Sequence, residues 1–343
     1  MVSLLFLLAV PSAFALQFDF LPAPSSSGFR NSSLSSWGGG VVFADGLYHL
    51  FASAFLNGCG LGSWGSNSMA IHATSSSPEG PFTFVERALP YYHHNVFPIT
   101  APDGTFLIFS IGMVPDPVPS KCSDPPPLLT HGFESVEAWS STSVNGPWQP
   151  VAGNVNGRNL FNGTNPAPAF DPSNNGTIYV MSHNNGAMTL SIAPHWSGPY
   201  SPPFPLFSYE DGNYVGEDPF LWWDANFKNR EGGVGAWRVL YHMYDSTDTH
   251  HQFAVGGYAE SSGASIYKGW VVQSYQTPAY TTNITSYVQG NSGPIVTTTL
   301  ARRERPKVFF DPVTGDPKVL YTGVCPQGSD TCFTSAVPIA GSH

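Results

Sequence analysis

A turn followed by alternating apolar residues recurs five times along this chain. It reads Asp45-Gly46-Leu47-Tyr48-His49-Leu50-Phe51, Asp103-Gly104-Thr105-Phe106-Leu107-Ile108-Phe109 and Asn175-Gly176-Thr177-Ile178-Tyr179-Val180. Looser copies are Trp237-Arg238-Val239-Leu240-Tyr241 and Asp316-Pro317-Lys318-Val319-Leu320-Tyr321. Asp-Gly and Asn-Gly before a β-rich run signal hairpins, because both central turn residues need positive φ. A second element, a Ser/Pro/Gly turn ending in an aromatic, follows the first three copies at Gly80-Pro81-Phe82, Gly146-Pro147-Trp148 and Gly198-Pro199-Tyr200, with a degenerate copy leading to Trp270. A third precedes the hairpins: His93-His94-Asn95-Val96-Phe97, Asn165-Pro166-Ala167, Glu217-Asp218-Pro219-Phe220 and Glu304-Arg305-Pro306-Lys307, with Trp37-Gly38-Gly39-Gly40 in that slot of the first unit. Five such units predict an all-β, five-bladed β-propeller with four-stranded antiparallel blades, near 34–90, 91–152, 153–206, 207–274 and 275–338. A β-sandwich shares the short strands but not one unit repeated five times. An end segment such as Phe18-Asp19-Phe20 is expected to complete the last blade.

Export is the second reading. Residues 1–15 combine a short apolar run with Ala13-Phe14-Ala15, which fits a signal peptide and its cleavage site, leaving 16–343 as one propeller domain. No later stretch is long and apolar enough for a transmembrane helix. Sequons stand at Asn31, Asn162, Asn175 and Asn283 in loop-like surroundings. Cys325 and Cys332 are close enough to clip one hairpin, which leaves Cys59 to meet Cys122; paired C-x-x-C zinc spacing is absent. The chain is expected to be secreted, extracellular and monomeric.

Charged residues are only 10% of the chain, and the formal net charge of −10 argues against nucleic acid or an anionic membrane as partner. Aromatics at 14% suit a surface that stacks on sugar rings, and equally a core. In a propeller the innermost strand of each blade begins at the channel mouth, so the third-element residues should converge there. Among so few charges, Asp218 and Glu304 stand out, with Glu217 beside the first; paired carboxylates are the usual equipment for glycoside hydrolysis. Arg302, Arg303 and Arg305 could hold a substrate carboxylate or lower a neighbouring pKa. His72, His93, His94, His183 and His242 fall on or near these slots. The ligand-rich run from Tyr241 to His251 reads as a loop over the pocket, since its acids lack calcium-loop spacing. Neither a G-x-S-x-G motif nor a reactive cysteine is present.

On these residues the blade pattern resembles the five-bladed propeller glycosidases of glycoside hydrolase family 43 and its relatives in families 32, 62 and 117. Asp218-Pro219-Phe220 is similar to the family's pKa-modulating Asp-Pro, and Glu304-Arg305-Pro306 to its Glu-Gly-Pro general acid, with Arg305 in place of Gly. The resemblance implies a general-base Asp two blades before Asp218, where this chain has His93-His94-Asn95. The implied reading is a secreted enzyme cleaving a plant, algal or microbial polysaccharide. Glu304 would be its acid, Asp218 the modulator, and His93 or His94 a base or sugar ligand; Asp45 or Asp245 could also supply a base. Trp37, Trp64, Asn95, Asn165, Glu217, His242, Arg303 and Arg305 would line the sugar site. No cofactor is expected, though a calcium ion in the channel is compatible. Two alternatives stay open: a non-catalytic carbohydrate-binding propeller, and a polysaccharide lyase using His and Tyr with Arg on a uronate.

Overall fold

The computed structural model describes residues 16, 18–112, 121–122, 135–153, 159–174, 176–184, 186–208, 214–245 and 255–341. Five sheets follow one another around a ring. Blade one is β1 (Ser36–Ala44), β2 (Leu47–Phe55), β3 (Ser68–Ser75) and β4 (Thr83–Tyr91), paired in that order. Blade two is β5 (His93–Thr100), β6 (Phe106–Gly112), β7 (Ser135–Ser141) and β8 (Gln149–Pro150), with β9 (Phe161–Asn162) also on β7. Blade three is β10 (Thr164–Phe170), β11 (Ile178–Asn184), β12 (Ala187–Ala193) and β13 (Phe204–Ser208). Blade four is β14 (Tyr214–Lys228), β15 (Val234–Asp245), β16 (Val255–Ser261) and β17 (Trp270–Val272). A separate hairpin, β18 (Asn283–Tyr287) with β19 (Ile295–Thr299), precedes blade five: β20 (Arg302–Phe310), β21 (Pro317–Cys325) and β22 (Phe333–Pro338). The fifth blade therefore starts near residue 302 and not 275.

The ring closes through the N-terminal segment, as the sequence suggested. Phe20 bridges Ile339 and Phe29 bridges Thr334, both antiparallel, so residues near 20–29 edge β22. Leu21 N donates to Pro338 O at 3.0 Å, and Ala340 N to Asp19 O at 2.7 Å. Phe29 is fully buried. Wedges of apolar side chains fill the gaps between neighbouring sheets. Leu50, Ile71, Val319 and Tyr321 join blades one and five, and Phe51, Ile108 and Trp139 join blades one and two.

The hairpin expectation holds in full at Asp45-Gly46, with φ of 51° and 78°. Elsewhere the turns are longer: in the β5–β6 turn Gly104 takes positive φ and in the β20–β21 turn Gly315 does, while Asn175 lies outside the described residues. The Gly-Pro-aromatic turns of blades one to three share a cis Gly–Pro bond. Disulfides join Cys59 to Cys122 and Cys325 to Cys332. Asn31, Asn162 and Asn283 are exposed. Residues 1–15 lie outside the described residues, and no described helix is long and apolar enough to cross a membrane.

Candidate active site

Each innermost strand carries the same defect. The pairing register slips between Trp37 and Gly40, His94 and Phe97, Thr164 and Ala167, Glu217 and Phe220, and Glu304 and Lys307. The second position of each slip takes positive φ: Gly38 (63°), Asn95 (55°), Asn165 (56°), Asp218 (57°) and Arg305 (59°); in blade one Gly39 (108°) does so as well. These are β-bulges, which re-aim a side chain where a regular strand would alternate. Asn and Asp tolerate the left-handed conformation; an arginine there is strained by roughly 1–3 kcal/mol, a feature that concentrates at functional sites. The bulge also fixes the blade correspondence. Arg305 is the counterpart of Asp218, and Glu304 the counterpart of Glu217.

The bulged residues meet at the axis. Asn95 Nδ2 donates to Asn165 Oδ1 and, at 3.5 Å, to Asp218 Oδ1. Arg305 Nη1 donates to the same Asp218 oxygen at 2.8 Å. Gly38 leaves space for that arginine, since a Cβ there would sit 3.0 Å from the Arg305 Cβ. The other Asp218 oxygen accepts from His242 Nδ1 at 3.1 Å. His242 Nδ1 is also 3.5 Å from Glu217 Oε1, and its Nε2 is 3.9 Å from Glu304 Oε1. Arg302 Nη1 lies 3.6 Å from that glutamate oxygen. One donor atom each from Glu217, Asp218, His242 and Glu304 falls within 4.8 Å of the others. The spacing would suit a cation, and here Arg305 and His242 already supply positive charge.

Burial and charge drive these groups apart. Burial alone would raise Asp218, but Arg305, the His242 hydrogen bond and Lys307 outweigh it and hold the carboxyl well below the usual range. Burial, then the Asp218 charge, pushes Glu217 up to about 7. His242 resists burial through Glu304, Asp218 and Glu217 and rises to about 9, so it is a cation at neutral pH. Burial brings Lys307, with its ammonium 5.1 Å over the Phe97 ring, down to about 7. His242 Nε2 and Glu304 Oε1 are buried without a hydrogen bond among the described residues. Unsatisfied buried polar atoms cost roughly 1–3 kcal/mol each, so the pair reads as a position that an incoming hydroxyl would complete.

The structure thus gathers Asp218, Glu304, Glu217, His242, Arg305, Asn95 and Asn165. The other expected residues are placed differently. His93 turns into its own blade, Nδ1 against Ser110 Oγ at 3.0 Å and ring edge-on to Trp139, so it cannot serve as base at the mouth. His94 stands beside Trp64 with Nδ1 on Ser68 Oγ at 2.8 Å; burial and then Arg305 push its pKa well below the usual value, leaving it neutral and weakly basic. Trp37 is 1% exposed, packed with Phe55 and both cysteines of the Cys325–Cys332 bridge, and offers no face to a sugar. Arg303 is equally sealed. Its guanidinium donates to the carbonyls of Thr281 and Asn283 and holds the β18–β19 hairpin. His72 pairs with His49 inside blade one, and Asp45 sits in the β1–β2 turn at the far end of its strand. His250, His251 and the Asp245 side chain lie outside the described residues. Sequence reasoning missed Lys307, and it reached Tyr244, whose ring stacks 5.2 Å from His242, only as part of the Tyr241–His251 run. A lysine three residues after Glu304 was visible, but only the bulge turns it into the channel. A cleft of about 730 Å³ opens elsewhere, further along β14, between Trp222, Trp223, Phe310 and Phe18.

No protein-family model matches the chain, and no curated protein matches it in sequence. Solved structures do match in shape. The catalytic domain of a Coprinopsis cinerea glycoside hydrolase family 62 alpha-L-arabinofuranosidase superposes with a TM-score of 0.63 at 10% identity, over 95% of this chain and 98% of that one. A thermostable family 43 glycoside hydrolase gives 0.59 at 11%, over 93% and 96%. An endo-arabinase from Bacteroides thetaiotaomicron gives 0.55 at 12%, over 94% and 98%. At such identities the likeness is one of fold: a five-bladed propeller of the shape found in these glycoside hydrolases.

Proposed function

We propose that this chain is a secreted glycosidase that hydrolyses a plant, algal or microbial polysaccharide at the channel mouth. The observation that carries the reading is the convergence of Asp218, Glu304 and Glu217 on one cationic histidine. Hydrolysis needs one carboxyl that gives a proton to the leaving oxygen and one that stays ionised beside the developing oxocarbenium ion. Asp218, fixed by Arg305 and His242, keeps its charge, and Glu304 faces it across His242. The matched structures named for arabinofuranosides and arabinan direct the first substrates to arabinose- and xylose-containing glycans. Two disulfides and three exposed sequons support export.

The test is a glycan screen read for new reducing ends, for the ultraviolet absorbance of unsaturated uronates, and for binding. Reducing ends that fall by about 10³-fold in Glu304→Gln support hydrolysis. Unsaturated products would instead establish a lyase. One observation favours a non-catalytic sugar-binding propeller: an amide, Asn95, occupies the bulge where the resemblance places the base. Binding without either product would establish that reading.

A further inference from the structure

The cleft along β14 takes no part in the chemistry proposed at the mouth, and it lies at the other end of blade four. We propose that it is a second, non-catalytic carbohydrate site, holding a neutral oligosaccharide by ring stacking and by hydrogen bonds to a fixed Asp224–Arg238 pair.

An overlong strand creates the cleft. Counted from the bulged residue, the innermost strands of the other blades run five or six residues further, to Ala44, Thr100, Phe170 and Phe310. β14 runs ten, to Lys228. Residues 224–228 therefore overhang the ring, and a register slip between Asp224 and Lys228 marks a second bulge within them. The overhang stands opposite the β20–β21 turn at Asp316, and the ring-closing segments at Phe18-Asp19 and Ile339–Gly341 complete the wall. At about 3.3 Å per residue, the six residues from Asp218 to Asp224 put the cleft about 20 Å from the mouth. Its volume of about 730 Å³ lies within the roughly 300–1,000 Å³ of small-molecule sites.

The lining sets the class of ligand. Trp222, Phe227 and Phe310 bring aromatic rings to the cleft, the Trp222 and Phe310 centroids 6.1 Å apart and tilted by 41°. The Arg238 guanidinium sits among them, 4.7 Å from the Phe227 ring and 5.2 Å from that of Trp222. Its Nη1 donates to Asp224 Oδ2, and its Nε to the Tyr258 hydroxyl at 2.7 Å. The other Asp224 oxygen accepts from Asn226 N at 3.1 Å. The Asp224 side chain is 25% exposed and that of Arg238 12%, so the carboxylate is held in one orientation while still open to solvent. A sugar ring matches this surface, with C–H faces for the aromatics and hydroxyls that both donate and accept for the planar charged groups. A purely apolar ligand would strip water from Asp224, Arg238 and Asp316 and return no hydrogen bond. Three acids, Asp19, Asp224 and Asp316, stand against two bases, Lys228 and Arg238. No surplus cation awaits a uronate or a sulfate, so the charge balance favours a neutral glycan. Binding here needs no turnover at the mouth and is measured without it.

The test is isothermal titration of the whole protein with xylohexaose, cellohexaose and a linear arabinohexaose, and with hexagalacturonate as the charged counterpart. At least one neutral hexasaccharide should bind, and Glu304→Gln at the mouth should leave that affinity within about twofold. Phe227→Ala should weaken it about fivefold or more, the loss expected for one aromatic contact. An unchanged melting temperature shows that this variant is folded. Should it not fold, nitrogen-15 NMR of the unaltered protein answers the same question, because the indole signals of Trp222 and Trp223 should move as sugar is added. Binding that Glu304→Gln abolishes and Phe227→Ala leaves intact overturns the proposal. Tighter binding of hexagalacturonate, indole signals that stay in place, or no binding of any neutral hexasaccharide at millimolar concentration does so as well. Self-association that Phe227→Ala abolishes would make a second copy of the chain the occupant, and the sugar site would be wrong.

Discussion

Lys307 is a charge that the fold holds at a disadvantage, and Lys307→Met should show it. The residue is 7% exposed, and its stem is fixed between Gly40, Pro98 and the Phe97 ring. Burial lowers its pKa from 10.5 to about 7, with Asp218 opposing and Arg305 adding to the fall. A difference of that size corresponds to about 5 kcal/mol between charged and neutral forms. Because the folded value lies below the unfolded one, the penalty is complete below pH 7 and disappears as pH rises through 10.5. Relaxation and water penetration reduce that figure, and the Asp218 attraction is already contained in the net lowering, so an apolar side chain of similar length should gain about 2–4 kcal/mol. Thermal unfolding followed at pH 5.5 should therefore move up in the Met variant by several degrees, at on the order of 2 °C per kcal/mol. At pH 9 the gain should shrink to less than half. A lower melting temperature at pH 5.5, or a gain that does not change with pH, would falsify the view of Lys307 as a strained channel cation.

Other perturbations read different parts of the molecule. The Glu217 carboxyl should titrate near pH 7, raised by burial and then by the Asp218 charge; a carbon-13 NMR titration with its midpoint at the ordinary carboxylate value of 4.5 would contradict this. Removing the Cys59–Cys122 bridge should cost about 4 kcal/mol, against about 2.5 for Cys325–Cys332, since the loops span separations of 63 and 7 residues; denaturant titration of the double serine variants would rank them. Gly39→Ala should destabilise by about 2 kcal/mol or more, because φ is 108° and a Cβ would meet the Ala52 Cβ at 2.6 Å. Gly46→Ala, at φ 78° with open space around it, should cost only about 1 kcal/mol in the same assay. Asn95→Asp should lower stability at pH 7 and recover it in acid, since like charges 3.5 Å apart repel by about 5 kcal/mol at an effective dielectric of 20.

The fold was legible because its signals are local. Hairpin punctuation, Gly-Pro-aromatic turns and strand alternation each repeat within a short window, and together they count the blades. Even the closing segment could be foreseen, since a ring that starts with a whole first blade needs an end to finish its last. The fifth-blade boundary was not legible. The β18–β19 hairpin carries the same Thr- and Val-rich alternation as a blade strand, and only the pairing reveals that it stands apart. The site was partly legible: sequence order placed Asp218 and Glu304 in corresponding slots, whereas the bulges offset them by one residue. That single step decides direction. It aims Arg305 at Asp218, sets Glu304 beside Glu217, and buries Trp37 against a disulfide. Neighbouring residues on a strand point to opposite faces, so a bulge of one residue exchanges the pocket-facing set for the buried one.

The ring of bulged residues also explains where chemistry can and cannot occur. The Asn95 amide nitrogen and the Arg305 guanidinium both donate to Asp218, while Asn95 Oδ1 and Arg305 Nε are buried without a hydrogen bond among the described residues, and Gly38 yields its volume to the arginine. Those two atoms, one acceptor and one donor, are what the ring has left to offer a ligand hydroxyl. Its effect is to fix one negative charge on the axis, which draws His242 into its cationic form and sets that cation between the two glutamates just outside the ring. The acids one residue before the bulges of blades four and five, Glu217 and Glu304, lie against that histidine from either side, Glu304 with Arg302 as a second cation. Glu304 is buried and Glu217 is 26% exposed, and both stand against the same histidine, which ties their charges to one another and to Asp218.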